Sequence, residues 1–204
     1  MTRVPSANSG APSPVEAVIF DYGGVLRRDG REDFDAVDEA AGLPRGALWS
    51  AFHDIPEYRS SREGVIDRDA FRAAVCRALA RVAGDEARAA SALAALDRSL
   101  AGRPPVEPAM RALLERLRLA GRVSLGLLSN GPRGGTEWLR AQGVTELFHA
   151  SLVSGDVGLA KPDPAVFRLA AERLGVEPAA CLMIDDQPRH LESARRVGLR
   201  THLF

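Results

Sequence analysis

Lysine, excess positive charge and long apolar runs are all scarce in this chain of 204 residues. Its 27 basic residues include a single lysine, Lys161, and 27 acidic residues balance them to a formal net charge of zero. A nucleic-acid partner is not expected without a basic cluster. No apolar run approaches the roughly 20 residues of a membrane span, and the start of the chain lacks the apolar core of a signal peptide. We therefore expect a cytoplasmic protein that acts without nucleic acid or membrane.

Cysteine is also scarce, because only Cys76 and Cys181 occur, far apart in the sequence and among apolar neighbours. Such cysteines are more often buried free thiols in a reducing cytosol than a disulfide or a metal-binding pair. Hydrophobic residues make up 46% of the chain and charged residues 26%, which is typical of a globular protein with a full core. The composition favours neither a monomer nor a homodimer.

The pattern of apolar residues divides the chain into three parts. Residues 1–14 are rich in Ser, Pro, Ala and Gly and predict a flexible tail. Residues 28–103 show one helical pattern after another, interrupted by an irregular polar stretch at 53–65, and no strand pattern. Residues 15–27 and 104–204 alternate strands with helices, as in a parallel sheet. We expect an α/β fold, in which a doubly wound (Rossmann-like) parallel sheet core carries a small all-helical cap inserted after its first strand.

The stretch from Val15 to Leu26 contains the first predicted strand and the first candidate site residue. A short apolar run rich in β-branched residues, typical of a strand buried on both faces, stops at Asp21, which Gly23 and Gly24 follow. A carboxylate at the end of a buried strand is unfavourable unless it is paired, bound to metal or used in chemistry. Turn formation alone could explain Asp-x-Gly-Gly here. Asp21 is therefore either a turn residue or a site residue, and the residues at the other strand ends decide between these two interpretations.

Polar side chains also follow the other predicted core strands, and the carboxyl ends of parallel strands meet at one edge of a sheet. Together with the only lysine, they are Asp21, Ser129, Asn130, Lys161, Asp185 and Asp186. Three neighbouring carboxylates repel one another unless a cation lies between them, and hard oxygen ligands of this kind select Mg²⁺. Ser129 and Lys161 would then hold the oxygens of a phosphate, and Asp21 would attack its phosphorus.

Four motifs in this order resemble the haloacid dehalogenase-type (HAD) phosphohydrolase superfamily. They are Asp-Tyr-Gly-Gly-Val from Asp21, Leu-Leu-Ser-Asn up to Asn130, Lys-Pro-Asp-Pro from Lys161, and the acidic pair Asp185-Asp186. The resemblance covers essentially the whole chain after the tail. It implies that Asp21 is the nucleophile and that Ser129 and Lys161 are the second- and third-motif residues. The implied Mg²⁺ ligands are Asp21, Asp185, Asp186 and the backbone carbonyl of Gly23, and the candidate substrate-binding residues are Asn130 and Tyr22.

Gly23 departs from the family pattern, because phosphatases of this family usually carry their acid/base aspartate at this position. General acid/base catalysis contributes roughly 10²–10⁴-fold, and its loss matters most for a poor leaving group. His53, Asp54 and His190 are candidate sources of the missing proton. Glycine at this place resembles the branch of sugar-phosphate phosphatases and of phosphatase domains fused to epoxide hydrolases. The resemblance therefore implies a Mg²⁺-dependent phosphatase for a small phosphorylated metabolite, a sugar phosphate among the candidates.

Two other functions stay open at this point. Because of Gly23, the chain is alternatively a catalytically impaired HAD-like module that binds phosphorylated metabolites. A 2-haloacid dehalogenase would use Asp21 on carbon; its chemistry needs no metal, and the pair Asp185-Asp186 argues against it. A dinucleotide-binding oxidoreductase is disfavoured, because Asp21 stands where a glycine-rich phosphate loop should begin.

Overall fold

Five strands of the computed structural model, which describes residues 14–28 and 30–204, form one parallel sheet. The strands are β1 (Ala17–Phe20), β2 (Ser124–Ser129), β3 (Ala150–Val153), β4 (Cys181–Asp185) and β5 (Arg200–Leu203). Their order is β3-β2-β1-β4-β5, so the chain builds one side of β1 first and then the other. The predicted doubly wound α/β fold is confirmed. The tail predicted for residues 1–14 lies, except for Pro14, outside the described residues.

Strand β1 is the centre of the sheet and is buried along its whole length. It pairs in parallel with β2 and β4, so that Phe20 lies opposite Leu127 and Ile184. Ile19 belongs to the hydrophobic cluster on one face of the sheet and Phe20 to the cluster on the other face. This burial on both faces explains the continuous apolar run that predicted the strand.

In the described part of the chain, five helices follow β1 and pack around a hydrophobic cluster of their own. They are α1 (Arg31–Ala40), α2 (Ala47–His53), α3 (Pro56–Arg62), α4 (Arg68–Ala83) and α5 (Glu86–Ala101). The side chain of Asp67 caps α4 by accepting a hydrogen bond from Ala70 N at 2.8 Å, and Asp85 caps α5 by accepting from Ala87 N at 3.1 Å. We call this segment, residues 31–101, the helical insertion.

Helix α3 shows that the prediction of an irregular stretch at 53–65 was wrong. Pro56 begins this helix, where the missing N–H of proline is not needed. Seven residues are too short to show a helical period in the sequence. After the helix, Gly64 contacts the core so closely that a Cβ atom on it would lie 2.2 Å from Gly155 O, and Gly64 O accepts a hydrogen bond from Arg133 Nη2. The end of α3 is therefore fixed against the core.

The other five helices of the described residues flank the sheet. They are α6 (Pro108–Ala120), α7 (Gly135–Ala141), α8 (Ser154–Val157), α9 (Pro164–Leu174) and α10 (Pro188–Arg196), with 3₁₀ turns at Thr145–Leu147 and Pro178–Ala180. Phe167 of α9 and Leu191 of α10 pack on the face that Ile19 occupies, and Leu114 of α6 packs on the face of Phe20. Within the described ranges, no helix combines the length and the apolar character that a membrane crossing requires.

Candidate active site

Asp21 is the first residue after β1, and its carboxylate is buried at the carboxyl end of the sheet. Its Oδ1 atom accepts hydrogen bonds from Tyr22 N at 2.7 Å and from Lys161 Nζ at 2.8 Å. Burial raises the pKa of Asp21 to about 6, although the Lys161 charge lowers it; the charge of Asp185 raises it further. Oδ1 makes both of these bonds, and Oδ2 makes neither of them.

Lys161 lies between two buried carboxylates. Its Nζ atom is 2.8 Å from Asp21 Oδ1 and 2.7 Å from Asp185 Oδ2. The side chain of Asn130 fixes the backbone of this loop, since Lys161 N donates to Asn130 Oδ1 at 2.9 Å and Asn130 Nδ2 donates to Lys161 O at 2.8 Å. Sequence reasoning missed this positioning role of Asn130, whose predicted substrate contact stays a prediction.

Asp185, the last residue of β4, is completely buried. Its Oδ2 atom accepts from Lys161, and its Oδ1 atom accepts from Gln187 N at 2.9 Å and lies 3.0 Å from His190 Nδ1. Burial alone would raise the pKa of Asp185, but the His190 hydrogen bond and the Lys161 charge lower it to about 2. The predicted role of Asp185 as a metal ligand stays a prediction.

His190, which the sequence suggested only as a proton source, contacts Asp185 in the structure. Its ring is buried, and its Nε2 atom has no hydrogen-bond partner among the described residues. Nδ1 faces Asp185, five residues earlier, because α10 begins directly after β4. This spacing of an acidic residue and a histidine across a strand end is the only signal that could have indicated the contact.

Asp186 lies on the open side of the site, next to the glycine turn that follows β1. A Cβ atom on Gly24 would be 2.5 Å from Asp186 Oδ2, and Gly24 has a φ of 79°, in the left-handed region. Only glycine therefore allows this close approach. Burial raises the pKa of Asp186, and the nearby charge of Asp185 raises it further.

Asp21, Gly23 and Asp186 line the same cavity, and together these residues offer two carboxylates and the backbone carbonyl of Gly23. Oxygen ligands of this kind are those that Mg²⁺ prefers in proteins. Burial raises the pKa of both carboxylates, so a divalent cation bound between them would favour their ionised forms. The donor set of this chain therefore fits a divalent cation.

A second group of donors is less suitable for a cation. Ligand atoms of Asp21, Asp185 and His190 all lie within 4.8 Å of one another in the described structure. The ammonium of Lys161, however, already contacts both carboxylates of this group and supplies their positive charge. A cation would have to displace Lys161 there.

The helical insertion forms the opposite wall of the cavity, which has a volume of about 290 Å³. Its lining residues are aromatic, with one histidine and one cation: Phe34, Trp49, His53, Tyr58 and Arg62. The His53 ring stacks on Trp49 with 4.0 Å between centroids, and His53 Nδ1 lies 2.9 Å from Trp49 O. Burial lowers the pKa of His53, so its imidazole is neutral near pH 7.

Tyr22 and Ser129 complete the cavity. Tyr22 donates from its hydroxyl to Pro105 O at 2.9 Å, and its ring packs edge-on against Trp138. Ser129 is the last residue of β2 and is largely buried. Of the predicted site residues, the structure brings these to one cavity: Asp21, Tyr22, Gly23, Ser129, Asn130, Lys161 and Asp186. Asp185 lies behind them and contacts Lys161.

Comparison with known proteins gives a family match over residues 15–198, to the model of the haloacid dehalogenase-like hydrolases. A phosphoserine phosphatase from Thermus thermophilus is 39% identical over 100 residues, which cover 48% of this chain and 40% of that protein. An N-acetylmuramic acid 6-phosphate phosphatase from Pseudomonas putida is 31% identical over 192 residues, which cover 92% of this chain and 81% of that protein. The chain thus spans less than half of the first relative and most of the second.

Two solved structures have a similar fold. A HAD family enzyme from Bacteroides thetaiotaomicron, crystallised with magnesium and inorganic phosphate, is 21% identical with a TM-score of 0.67, over 93% of each chain. A 2-haloacid dehalogenase from Pseudomonas syringae is 25% identical with a TM-score of 0.61, over 93% of this chain and 86% of that one. These matches extend across the core and the helical insertion.

Proposed function

The chain belongs to the haloacid dehalogenase-like hydrolase family, and from that premise we propose that it is a Mg²⁺-dependent phosphatase. Its substrate is a small phosphorylated metabolite, and the reaction passes through an aspartyl-phosphate on Asp21. The observation that carries this proposal is the position of the Lys161 ammonium, 2.8 Å from Asp21 Oδ1 in the cavity that Asp186 also lines. The positive charge of Lys161 suits a phosphate dianion, and the exposed carboxylate of Asp186 in the same cavity is available to a divalent cation.

In the first half of the reaction, Asp21 Oδ2 attacks phosphorus while the bond from phosphorus to the leaving-group oxygen breaks. Lys161 and Ser129 bind the phosphoryl oxygens and stabilise the negative charge that spreads over them. Asp21, Asp186 and the carbonyl of Gly23 would hold Mg²⁺, which supplies further positive charge for the phosphoryl group when bound. The buried carboxylate of Asp185, 2.7 Å from Lys161 Nζ, keeps this lysine in position.

In the second half, a water molecule attacks the aspartyl-phosphate, which releases inorganic phosphate and regenerates the Asp21 carboxylate. The leaving oxygen of the first half needs a proton, and Gly23 offers no side chain to donate it. Substrates whose leaving group is stable as an anion are therefore expected to react fastest. His53 is the histidine in the cavity wall formed by the helical insertion, and we propose it as the group that exchanges a proton with the site. Its ring is neutral, and its Nδ1 atom lies 2.9 Å from Trp49 O.

Two alternative functions retain specific support. Gly23 favours a module that accepts or binds a phosphoryl group without rapid release, because the usual acid/base is missing. The similarity to a 2-haloacid dehalogenase favours attack by Asp21 on carbon. That reaction has no use for the open carboxylate of Asp186 next to Asp21, so phosphoryl transfer explains more of the site.

The proposal is tested by a screen of phosphorylated metabolites against the purified protein, with Mg²⁺, with EDTA and with Mg²⁺ restored after EDTA. We expect turnover only with Mg²⁺, and a loss of roughly 10³-fold or more in kcat when Asp21→Asn removes the nucleophile. Asp69→Asn, an exposed substitution at the start of α4, is the matched control and should keep full activity. Turnover of phosphate esters that survives EDTA or Asp21→Asn would contradict the proposal.

Two further readouts separate the alternatives. Metal-independent chloride release from 2-chloropropionate would identify a dehalogenase. A single stoichiometric burst of product, with no steady state after it, would identify the impaired module.

A further inference from the structure

Arg62, the last residue of α3, is a cation in the wall of the active-site cavity that faces the sheet. It lines the cavity of about 290 Å³ that contains Asp21. It also lines an adjoining cavity of about 630 Å³, formed between α3 and the loop that carries Lys161. Tyr58, Arg62, Asn130 and Lys161 line both spaces, so they lie where the two cavities adjoin.

Aromatic rings hold the guanidinium of Arg62 in place. Its Cζ atom lies 4.6 Å from the centroid of the Tyr58 ring and 5.4 Å from that of Phe71. Rings that pack against a guanidinium limit its motion and shield it from water. The Arg62 side chain is therefore positioned before any ligand arrives.

The guanidinium of Arg62 differs from those of its neighbours in its hydrogen bonds. Its Nε atom is buried without a hydrogen-bond partner among the described residues. By contrast, the two other arginines that line the larger cavity are bonded, Arg59 Nε to Glu63 Oε1 at 2.7 Å and Arg189 Nε to Gln187 Oε1 at 3.0 Å. Burying a charged donor without an acceptor costs free energy. A ligand that supplies the acceptor would remove this cost.

Resting on the phosphatase function proposed above, we propose that Arg62 binds a second anionic group on the leaving-group part of the substrate. The substrates are then phosphate monoesters that also carry a carboxylate or a second phosphate. Lys161 is already paired with Asp21 and Asp185 and is assigned above to the phosphoryl oxygens, so a second anionic group needs another cation. The planar guanidinium of Arg62 can bind a carboxylate or phosphate with two parallel hydrogen bonds, whereas a neutral leaving group would leave it desolvated and unpaired.

Matched pairs of substrates test this selectivity. The first pair is 2-phosphoglycolate and 2-hydroxyethyl phosphate, which differ only in a carboxylate replacing a hydroxymethyl group. The second is propane-1,3-diol bisphosphate and 3-hydroxypropyl phosphate, which tests a second phosphate as the anion. For at least one pair we expect the wild type to favour the anionic member by about ten- to a hundredfold in kcat/KM, the selectivity of a charged hydrogen bond. The pair that shows the preference identifies the anion.

Arg62→Gln should abolish that preference by raising KM for the anionic member, with kcat much less affected. Turnover of p-nitrophenyl phosphate should change less than about threefold, because its leaving group carries no second anion. Arg62→Lys, which keeps the charge but not the planar fork, should retain part of the preference. Arg59→Gln, on the same helix, is the control and should leave it intact.

The inference is overturned if the wild type treats both pairs alike, or if Arg62→Gln slows all substrates equally, p-nitrophenyl phosphate included. Should the wild type turn over no phosphate ester, the proposed function fails and the inference is decided by calorimetric binding of the same four compounds. Tighter binding of an anionic member that Arg62→Gln removes then supports the inference, and equal binding of the members overturns it. Thermal unfolding of Arg62→Gln and Arg62→Lys checks that both variants are folded, so that a change in substrate preference is not caused by misfolding.

Discussion

Lys161 and Asp185 form an ion pair inside the protein, with 2.7 Å between Nζ and Oδ2. Lys161 is 4% exposed and Asp185 is fully buried, so water contributes almost nothing to their solvation. The pair connects the end of β4 to the loop before α9, and the same ammonium reaches Asp21 at the end of β1. Asp185 thus positions the lysine, and the lysine positions the carboxylate that we propose as nucleophile.

Replacing Lys161 by Gln should destabilise the protein and abolish activity. The substitution leaves Asp21 and Asp185 buried next to each other without a counter-charge. Breaking a buried pair in this way costs about 3–5 kcal/mol in the free energy of unfolding, which urea denaturation measures. Arg189→Gln, an exposed residue at the rim of the site, is the control. An unfolding free energy unchanged by Lys161→Gln would contradict the assigned role of the pair.

Gly23→Asp should raise turnover by restoring an acid next to the site. A Cβ atom on Gly23 meets no described residue within 4 Å, so the new side chain has room. Up to roughly 10²–10⁴-fold is expected on alkyl phosphates, because general acid catalysis helps a poor leaving group most. The gain on aryl and acyl phosphates should be small. Steady-state rates on both substrate classes check this, and an equal gain on all of them would refute the account of the missing acid.

Gly24→Ala should lower turnover, although Gly24 lies only one position after Gly23. Its φ of 79° disfavours any side chain, and the new methyl group would lie 2.5 Å from Asp186 Oδ2. We expect lower stability together with weaker Mg²⁺ binding, which isothermal calorimetry measures on the same samples. If Gly24→Ala binds Mg²⁺ as tightly as the wild type, Asp186 is not placed as we propose.

The pKa of His53 should report the charge of Arg62. Burial lowers this pKa from its ordinary value of 6.5; the Arg62 charge lowers it further, while Trp49 O and Asp54 raise it. Because the folded pKa is lowered, the unfolded chain binds the proton first, and stability is lost as the pH falls below 6.5. In NMR titrations, Arg62→Gln should move the His53 midpoint upwards and Arg59→Gln should not. A wild-type midpoint above 6.5 would contradict the burial of this ring.

The features that the sequence predicted well are those that depend on short-range patterns. The apolar run before Asp21 identified β1, and the successive helical patterns after it predicted the helices that the structure has up to Ala101, except α3. Polar residues at the ends of β1, β2 and β4 indicated one cavity, because parallel strands end at the same edge.

The features that the sequence did not reveal depend on contacts between distant segments. Helix α3 was missed because it is short and stabilised by its contact with the core at Gly64 and Gly155. The hydrogen bonds of Asn130 to the Lys161 backbone and the contact of His190 with Asp185 appear only when the strands are assembled. No local pattern could show that Arg62 would line the cavity with its Nε atom unpaired among the described residues.

The most direct test of the account is to identify the phosphorylated residue. The protein is mixed with a turned-over phosphate ester and Mg²⁺, quenched in acid within one turnover, digested and examined by mass spectrometry. The account predicts one added phosphoryl group on Asp21, none with EDTA and none in Asp21→Asn. A phosphoryl group on another residue, or turnover with no phosphorylated enzyme at any quench time, would contradict it.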